Sequence, residues 1–510
     1  MDYIQGISPD QIVLFSDSLD DIIEADNPIR AIDIYVSMLD LGALGFKLPE
    51  LKTGRSPYDP KILLKIYIYG FLEKIRSSRK LEKECKRNTE MIWLAQSLKP
   101  DHWTINNFLK THKVFIKNIF YNFLIFCKNA NLITLEKVGI DGSKFRAQNS
   151  KNNVHKKKKI EELENKIMLK IEEYVQELES NDSNEDEELR LERNKETQNK
   201  LESLKKYKKK VENVKDKFAQ EPKLETYFAT DEDARFQSDQ GKINPGYNSQ
   251  IAVDDKNKLI VVNHVVNKSN DLEMMTPMVD KVLDVKKDLK ITNHTHSLLD
   301  AGYDSEKEIM NNLSKEGISI IVADKHEAEK RNKKRYGNKN PDKVPGKGYQ
   351  ARDFKYDKDK DVCICPEGKE LHKTHTKPHL EKRTGRFMYE FLCHECDSCD
   401  KRDKCTKNKR GRSIKISSNR VILYEYKHRM QSKENKKLLS KRKEIVEHPF
   451  GTIKSNWGFR SFSRKGLENV QTEFNFICFI YNFRRVLNIL GTQNFIKEIK
   501  RQKEAKKKQV

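Results

Sequence analysis

The chain has 510 residues, with 100 Lys and Arg against 77 Asp and Glu and a formal net charge of +23, an excess that attracts polyanions at long range. No run approaches the ~18 consecutive apolar residues of a membrane span, and the opening MDYIQGISPD lacks the charged-then-apolar pattern of a secretory signal, so a cytoplasmic protein is expected. Of the nine cysteines, six fall between Cys363 and Cys405, and such bunching favours metal over disulfides.

Residues 1–130 read as a helical domain. From Lys61 to Lys74, Ile62, Leu63, Ile66, Tyr67 and Phe71 recur at helical spacing, with Asp59 as cap and Pro60 as first helical residue. A second helix is expected over Leu81–Ala95, and a short one after Asp101 with Ile105, Phe108 and Leu109 on one face. With Arg76, Arg79, Lys80, Lys83, Lys86 and Arg87 nearby, these short helices fit a helix-turn-helix DNA reader, or a plain bundle with basic faces.

KVGID, ending at Asp141, predicts a strand leading into a polar, basic stretch. Residues 153–222 then read as a charged antiparallel helical hairpin. Ile160, Leu163, Ile167, Ile171, Tyr174 and Leu178 step by three or four, NDSNEDEE breaks the pattern, and Leu201 to Phe218 resume it.

Strands are expected at NSQIAV and KLIVVNHVV, joined as a hairpin by DDKNK, with a helix from Asp271 to Leu283 that Pro277 could kink. The strand SLLD ends at Asp300, and a helix and the strand ISIIVAD follow. An antiparallel start followed by alternating helix and strand is what an RNase H-like sheet requires. Residues 326–425 form a cysteine-rich, zinc-ribbon-like insertion. The chain is helical to 490, and 491–510 read as a basic tail, disordered rather than folded. The fold class is thus α/β. An RNase H-like core (136–152, 223–325, 426–490) is preceded by the helical domain and interrupted by the two insertions.

Three carboxylates carry the chemistry. Asp141 and Asp300 each follow an apolar run, and Glu447 lies on a later helix in KRKEIVEHPFGTIK. Converging, they would hold two divalent cations ~3.5–4 Å apart for in-line attack on phosphodiesters. Each also has a plain alternative, since Asp before Gly often caps a turn and Glu447 could pair with a nearby lysine. Glu444, one turn earlier, is a competitor for Glu447, and Asp304 for Asp300, although Asp304 reads as a cap beside Ser305.

Taken together, these segments resemble bacterial insertion-sequence transposases of the DDE type, from the branch with an N-terminal helical domain. GRSPYDPKILLKIYIYGFLEKIRSSRKLEKECKRN with WLAQSLKPDHWTINNF resembles the N-terminal domain, and GIDGSKFRAQNSKN the first Asp segment. TDEDARF with PGYNSQIAVD resembles the linking segment, LLDAGYDS the second Asp segment, and VEHPFGTIKSNWGFRSFSRKGLENVQTEFNFICFIYNFRR the Glu segment. The resemblance selects Glu447 over Glu444. It departs at Ser440 and Lys443, where relatives often carry Tyr and Arg, and lysine loses bidentate phosphate geometry. It implies an enzyme that cuts DNA at insertion-sequence ends and joins the 3′-OH to target DNA. Two Mg²⁺ or Mn²⁺ ions would be held by Asp141, Asp300 and Glu447.

The expected partner is double-stranded DNA, as terminal inverted repeats and target, bound by at least a homodimer in the nucleoid. Lys144, Arg146, Lys454, Arg460, Arg464 and Lys465 are candidates for phosphate contacts. Trp457 and Phe459 could stack on a base, with core packing the alternative. A metal-dependent nuclease that does not join strands, and a catalytically inert DNA-binding descendant, are the other readings.

Cys363, Cys365, Cys393, Cys396, Cys399 and Cys405 supply more thiols than the four a structural Zn²⁺ needs. The expected set is Cys363, Cys365 or Cys393, Cys396 and Cys399, with Cys405 as substitute. An iron–sulfur cluster is the alternative ligand for CxxCxxC spacing.

Overall fold

The computed structural model describes residues 18–46, 57–181, 187–239, 241–325, 349, 353–357, 359–381, 386–417 and 419–507. The first helices are α1 (Pro28–Ser37), α2 (Pro60–Leu72), α3 (Ser78–Arg87), α4 (His102–Thr111) and α5 (Lys113–Asn129). The Asp59 and Asp101 carboxylates accept from the backbone N–H of Lys61 at 2.8 Å and Thr104 at 2.7 Å, and Pro60 sits where its missing N–H costs nothing. The helix expected over Leu81–Ala95 breaks at Asn88, whose side chain caps a separate turn, Thr89–Leu94. An Asn that can bond the backbone competes with helix continuation.

A six-stranded mixed sheet follows, of β1 (Lys137–Arg146), β2 (Arg235–Asp239), β3 (Lys242–Asp254), β4 (Ile260–Val266), β5 (Thr295–Leu299) and β6 (Ile318–Val322). The long β3 pairs antiparallel with β2 and β4 along one edge and with β1 along the other. Beyond β1, β5 and β6 continue the sheet in parallel. This is the RNase H-like order expected. β1 is longer than anticipated, because the polar GSKFR keeps its antiparallel ladder to β3 as far as Arg146 opposite Gly246.

Between β1 and β2 stands the helical hairpin, α6 (Lys157–Asn181) and α7 (Glu187–Gln220), with its own small core of Ile160, Ile167, Val211, Val214 and Phe218. Most of its acidic break, 182–186, lies outside the described residues. Helix α8 (Met275–Asp288) begins after Asp271, so Pro277 falls in the first turn, where no intrahelical donor is needed. Helix α9 (Glu306–Leu313) leads to β6.

The cysteine-rich region builds a second, antiparallel sheet of β7 (Lys355–Asp357), β8 (Val362–Ile364), β9 (Glu370–Lys373), β10 (His379–Glu381), β11 (Arg386–Leu392) and β12 (Ser413–Ser417). Its core is separate and small: Phe354, Leu371, Phe391, Ile414 and Ile416 with three cysteines.

Four helices complete the fold: α10 (Arg420–Met430), α11 (Lys433–Phe450), α12 (Leu467–Leu490) and α13 (Thr492–Lys507). α11 continues into a π-helical turn, Gly451–Asn456. Helix α12 is buried over most of its length and packs on α5, α2 and β4. Consequently the N-terminal helices and the first sheet share one apolar core running from Ile23 to Ile499. The tail expected to be disordered is instead α13. Phe495, Ile496 and Ile499 are buried, and the Phe495 ring lies 5.2 Å from both Phe126 and Phe483. Three apolar residues on one face hold the helix despite its surrounding lysines. Among the described residues no helix is long and apolar enough to cross a membrane.

Candidate active site

Asp141 and Asp300 meet at the sheet. The parallel ladder between β1 and β5 pairs Gly139 with Leu298 and then stops. Two residues further along each strand, on the same face because side chains alternate with period two, stand Asp141 and Asp300. Their carboxylates are steadied by backbone N–H groups, Gly142 to Asp141 at 2.9 Å and Gly302 to Asp300 at 2.7 Å.

A third carboxylate, Asp271, joins them. Its Oδ1 accepts from Asn248 at 2.7 Å and Gln250 at 2.6 Å, and Lys144 Nζ lies 3.5 Å away. Gln250 in turn accepts from the buried Tyr303 hydroxyl. Sequence reasoning missed Asp271 because it was read as the first residue of a helix. Its place in the loop between β4 and α8 was the only signal.

The electrostatics follow from this crowding. Burial first, opposed by Arg442 and reinforced by Asp300 and Asp271, pushes the Asp141 carboxyl up to about 6. Burial likewise lowers the Lys144 ammonium, against the pull of Asp271, Asp141 and Asp300. Arg442 Nη1 lies 3.4 Å from Asp141 Oδ2. Arg442 was also missed, hidden in the run KKLLSKRK, where nothing distinguishes it from neighbouring lysines.

Helix α11 crosses the same face. Gly139 permits this approach, since a Cβ there would stand 2.7 Å from Val446 Cγ1 and 3.0 Å from Ile445 Cγ2. Ile445, Val446, Pro449 and Phe450 are buried, whereas Glu447 is exposed. One residue past Val446, it is turned about 100° around the helix, and its carboxylate has no ion pair or hydrogen bond among the described residues. Glu444 lies 3.8 Å from Lys258. The structure therefore brings Asp141 and Asp300 together and leaves Glu447 on the adjoining helix face. As placed, no three His, Cys, Asp or Glu side chains among the described residues close on a metal position.

The basic candidates are distributed around this centre. Lys454 Nζ donates to Ser143 Oγ at 3.0 Å and the Lys144 carbonyl at 2.9 Å, and meets Asp239 at 3.2 Å, tying the π-helical turn to β1. Lys144, Arg146 and Arg460 line a cavity of about 220 Å³ with Lys242. Arg464 donates to the Asn106 carbonyl on α4, and Lys465 is exposed nearby. Trp457 and Phe459 are buried, so both rings pack in the core, the alternative to stacking on a base. Arg76, just before α3, pairs with the buried Glu473, while Arg79, Lys80 and Lys83 on α3 are exposed.

In the second sheet, Cys365, Cys393, Cys396, Cys399 and Cys405 line one small cavity. Cys363 is not among them. It lies within β8, buried in the sheet's core opposite Tyr356 of β7, whereas Cys365 stands past the strand's end in the turn to β9. Burial, then Cys396, raises the Cys393 thiol to about 11. Two features suit thiolate ligands. The Lys369 N–H points at Cys365 Sγ at 3.2 Å and the Arg412 N–H at Cys396 Sγ at 3.3 Å. Gly411, at φ +99°, lets the chain pass against the Cys393 carbonyl, where any Cβ would collide.

The mixed sheet of RNase H-like order thus carries two carboxylates, Asp141 and Asp300, at matching positions on its two adjacent parallel strands. Residues 17–111 match the family described as Transposase domain (DUF772), and residues 364–487 match Transposase DDE domain. These two segments, N-terminal then C-terminal in the expected order, are thus similar to transposase domains, consistent with an insertion-sequence transposase of the DDE type. The second match runs from the cysteine module through Glu447 and Lys454 into α12. This family implies a DNA substrate and dependence on a divalent metal. No curated protein matches the chain.

Proposed function

We propose that this protein cleaves DNA at the ends of an insertion sequence and joins the freed 3′-OH to target DNA. The observation supporting this most directly is the register of Asp141 and Asp300 on adjacent parallel strands, with the Asp141 carboxyl pushed up to about 6. Such crowded, hard oxygen donors suit Mg²⁺ or Mn²⁺. Two such ions, when bound, stabilise the attacking and leaving oxygens of an in-line displacement.

Asp141, Asp300 and Glu447 are the proposed ligands, with Glu447 supplied from α11. Asp271 fixes Lys144 beside them. Lys144, Arg146, Lys454, Arg460, Arg464 and Lys465 hold the strand through its phosphates, positioning it without reading its sequence. Four of the five clustered cysteines fit a structural Zn²⁺, and the N–H···S contacts favour the thiolate form such a site requires. Pairing two DNA ends requires at least a dimer on DNA, and the protein acts in the nucleoid.

The test incubates purified protein, with Mg²⁺ or Mn²⁺, with DNA bearing the sequences that flank the gene and with a target plasmid. Metal-dependent cleavage and joining, both lost in Asp300→Asn, is the expected result. Cleavage without joining would make the protein a nuclease. Binding without cleavage in the wild type would make it a DNA-binding relic.

A further inference from the structure

Around α11 from the aspartates lies a second cavity, of about 430 Å³, between the π-helical turn, α12 and the end of α2. It is lined by Lys74, Arg484 and Arg485 together with Asn456, Trp457 and Asn488, and no carboxylate is among its lining residues. A cavity with three cations and no acid is costly to leave without a counter-charge, unlike the acidic site, where Lys144 and Arg442 balance the carboxylates.

The cationic groups are held in place. Arg484 Nη1 donates to the Leu72 carbonyl and Arg485 Nε to the Asn257 carbonyl, each at 2.8 Å. Arg485 Nη1 also lies 3.0 Å from His448 Nε2, and the other nitrogen of that ring is 2.8 Å from the Tyr481 hydroxyl. A guanidinium has five N–H donors, so each arginine is fixed at one edge and retains donors for an occupant. Trp457 and Tyr481 are buried, their rings 6.4 Å apart, and form a rigid apolar wall. Lys74 and Asn488 are exposed at the rim, and neither has a side-chain partner among the described residues.

We infer that this cavity is a phosphate-binding site and that a backbone phosphate of a DNA strand occupies it. Prepositioned guanidinium groups with side-chain amides are the chemistry of phosphate recognition. The cavity exceeds the size of one phosphate and is open at its rim, which suits a polymer passing through it. Its connection to the acidic site favours a strand. Asn456 belongs to the same π-helical turn as Lys454, which is bonded to Ser143 and the Lys144 carbonyl beside Asp141. A strand seated here is therefore held in fixed relation to the reacting centre. The inference rests on the DNA-processing reading for its ligand, but not on cleavage.

The experiment uses full-length protein carrying Asp300→Asn, so that DNA stays intact. Binding of a labelled duplex from the flanking sequence is followed by anisotropy over about 50–300 mM NaCl. Lys74→Glu combined with Asn488→Asp is compared with Lys500→Glu, an exposed lysine on α13 outside the cavity. Circular dichroism and thermal midpoint establish that both variants remain folded. The double variant should bind at least about tenfold more weakly, with the slope of log K against log salt reduced by about one for each phosphate that the cavity no longer neutralises. Binding indistinguishable from that of Lys500→Glu overturns the proposal.

A parallel titration adds inorganic phosphate or deoxyadenosine monophosphate at constant ionic strength, followed by tryptophan emission. Sub-millimolar binding of either that the double variant abolishes, with duplex binding unchanged, would assign the cavity to a free phosphate compound and overturn the DNA strand as occupant. If wild type neither cleaves nor joins while duplex binding still depends on Lys74 and Asn488, the catalytic reading falls and this inference stands. If wild type joins normally and the double variant binds normally, this inference alone falls.

Discussion

The aspartate site and the cysteine module both gather like groups around a point, and both use backbone N–H groups to steady them. They differ in what holds the elements together. Asp141 and Asp300 extend from strands of the main sheet, whose core runs through the whole molecule. Their spacing is set by ladder hydrogen bonds and packing, and the repulsion between them is sustained by that framework. The cysteines sit on short strands and turns over a core of few apolar residues. There the proposed Zn²⁺ would supply much of the folding energy through its thiolate bonds, as in small zinc domains. A catalytic metal site tolerates an empty state, whereas a structural one does not.

The sharpest break of this contrast is Asp300→Asn. Removing one carboxylate forfeits several kcal/mol of transition-state stabilisation, so cleavage should fall about 10³-fold or more, while the thermal midpoint stays within a few degrees of wild type. A large loss of stability would show that the acidic site is structural after all.

Cys396→Ser, or prolonged chelation, should have the opposite profile. Zinc measured by elemental analysis should drop from about one per chain to near zero. Limited proteolysis should then cut within 353–417, while the main unfolding transition persists. Protease resistance unaltered by metal loss would refute a metal-built module.

Gly139→Val should act through the framework alone. A Cβ at 2.7 Å from Val446 forces α11 away from β1, and overpacking of this kind costs about 1–3 kcal/mol. Urea denaturation measures it, and activity should fall with it because α11 carries the proposed ligand Glu447.

The smallest effect separates Asp254 from Asp141, two aspartates whose carboxyls are both raised. Asp254 accepts N–H groups from Leu135 at 2.7 Å and Lys256 at 3.1 Å, yet burial pushes its carboxyl up to about 6. Because this exceeds the unfolded value of about 3.9, the folded state binds the proton more tightly. The stabilising contribution is full below pH ~4 and is lost as pH rises to about 6. Asp254→Asn should remove that share of the decline in metal-free protein. Millimolar Mg²⁺ should suppress only the share belonging to Asp141. An unchanged stability–pH curve in Asp254→Asn would contradict the assignment.

Much of this arrangement was legible in the chain. Apolar runs ending in Asp141 and Asp300, the DDKNK hairpin and the caps at Asp59 and Asp101 are local signals, and the structure realises each. Other features had no local signal. Asp271 and Arg442 reach the site from a loop and from a lysine-rich helix, and their sequence neighbours resemble many solvated stretches. Cys363 is only two residues from Cys365, which lines the cavity, but it is held inside β8 in the sheet's core while Cys365 lies in the turn beyond. In α13, three apolar residues are outnumbered by their charged neighbours, and only the aromatic surface provided by Phe126 and Phe483 gives them a partner.

The sequence by itself determined the order of strands and helices, the strong positive charge, and the carboxylates and thiols available. These follow from periodicity, turn chemistry and composition, which act over a few residues. Tertiary structure decided which of those groups meet. It placed Asp271 and Arg442 beside Asp141, set Glu447 one step around α11 from the buried Val446, and fused the N-terminal helices to the sheet through α12. Those outcomes depend on packing between segments hundreds of residues apart, where a single close approach such as Gly139 against Val446 fixes what a whole helix can present.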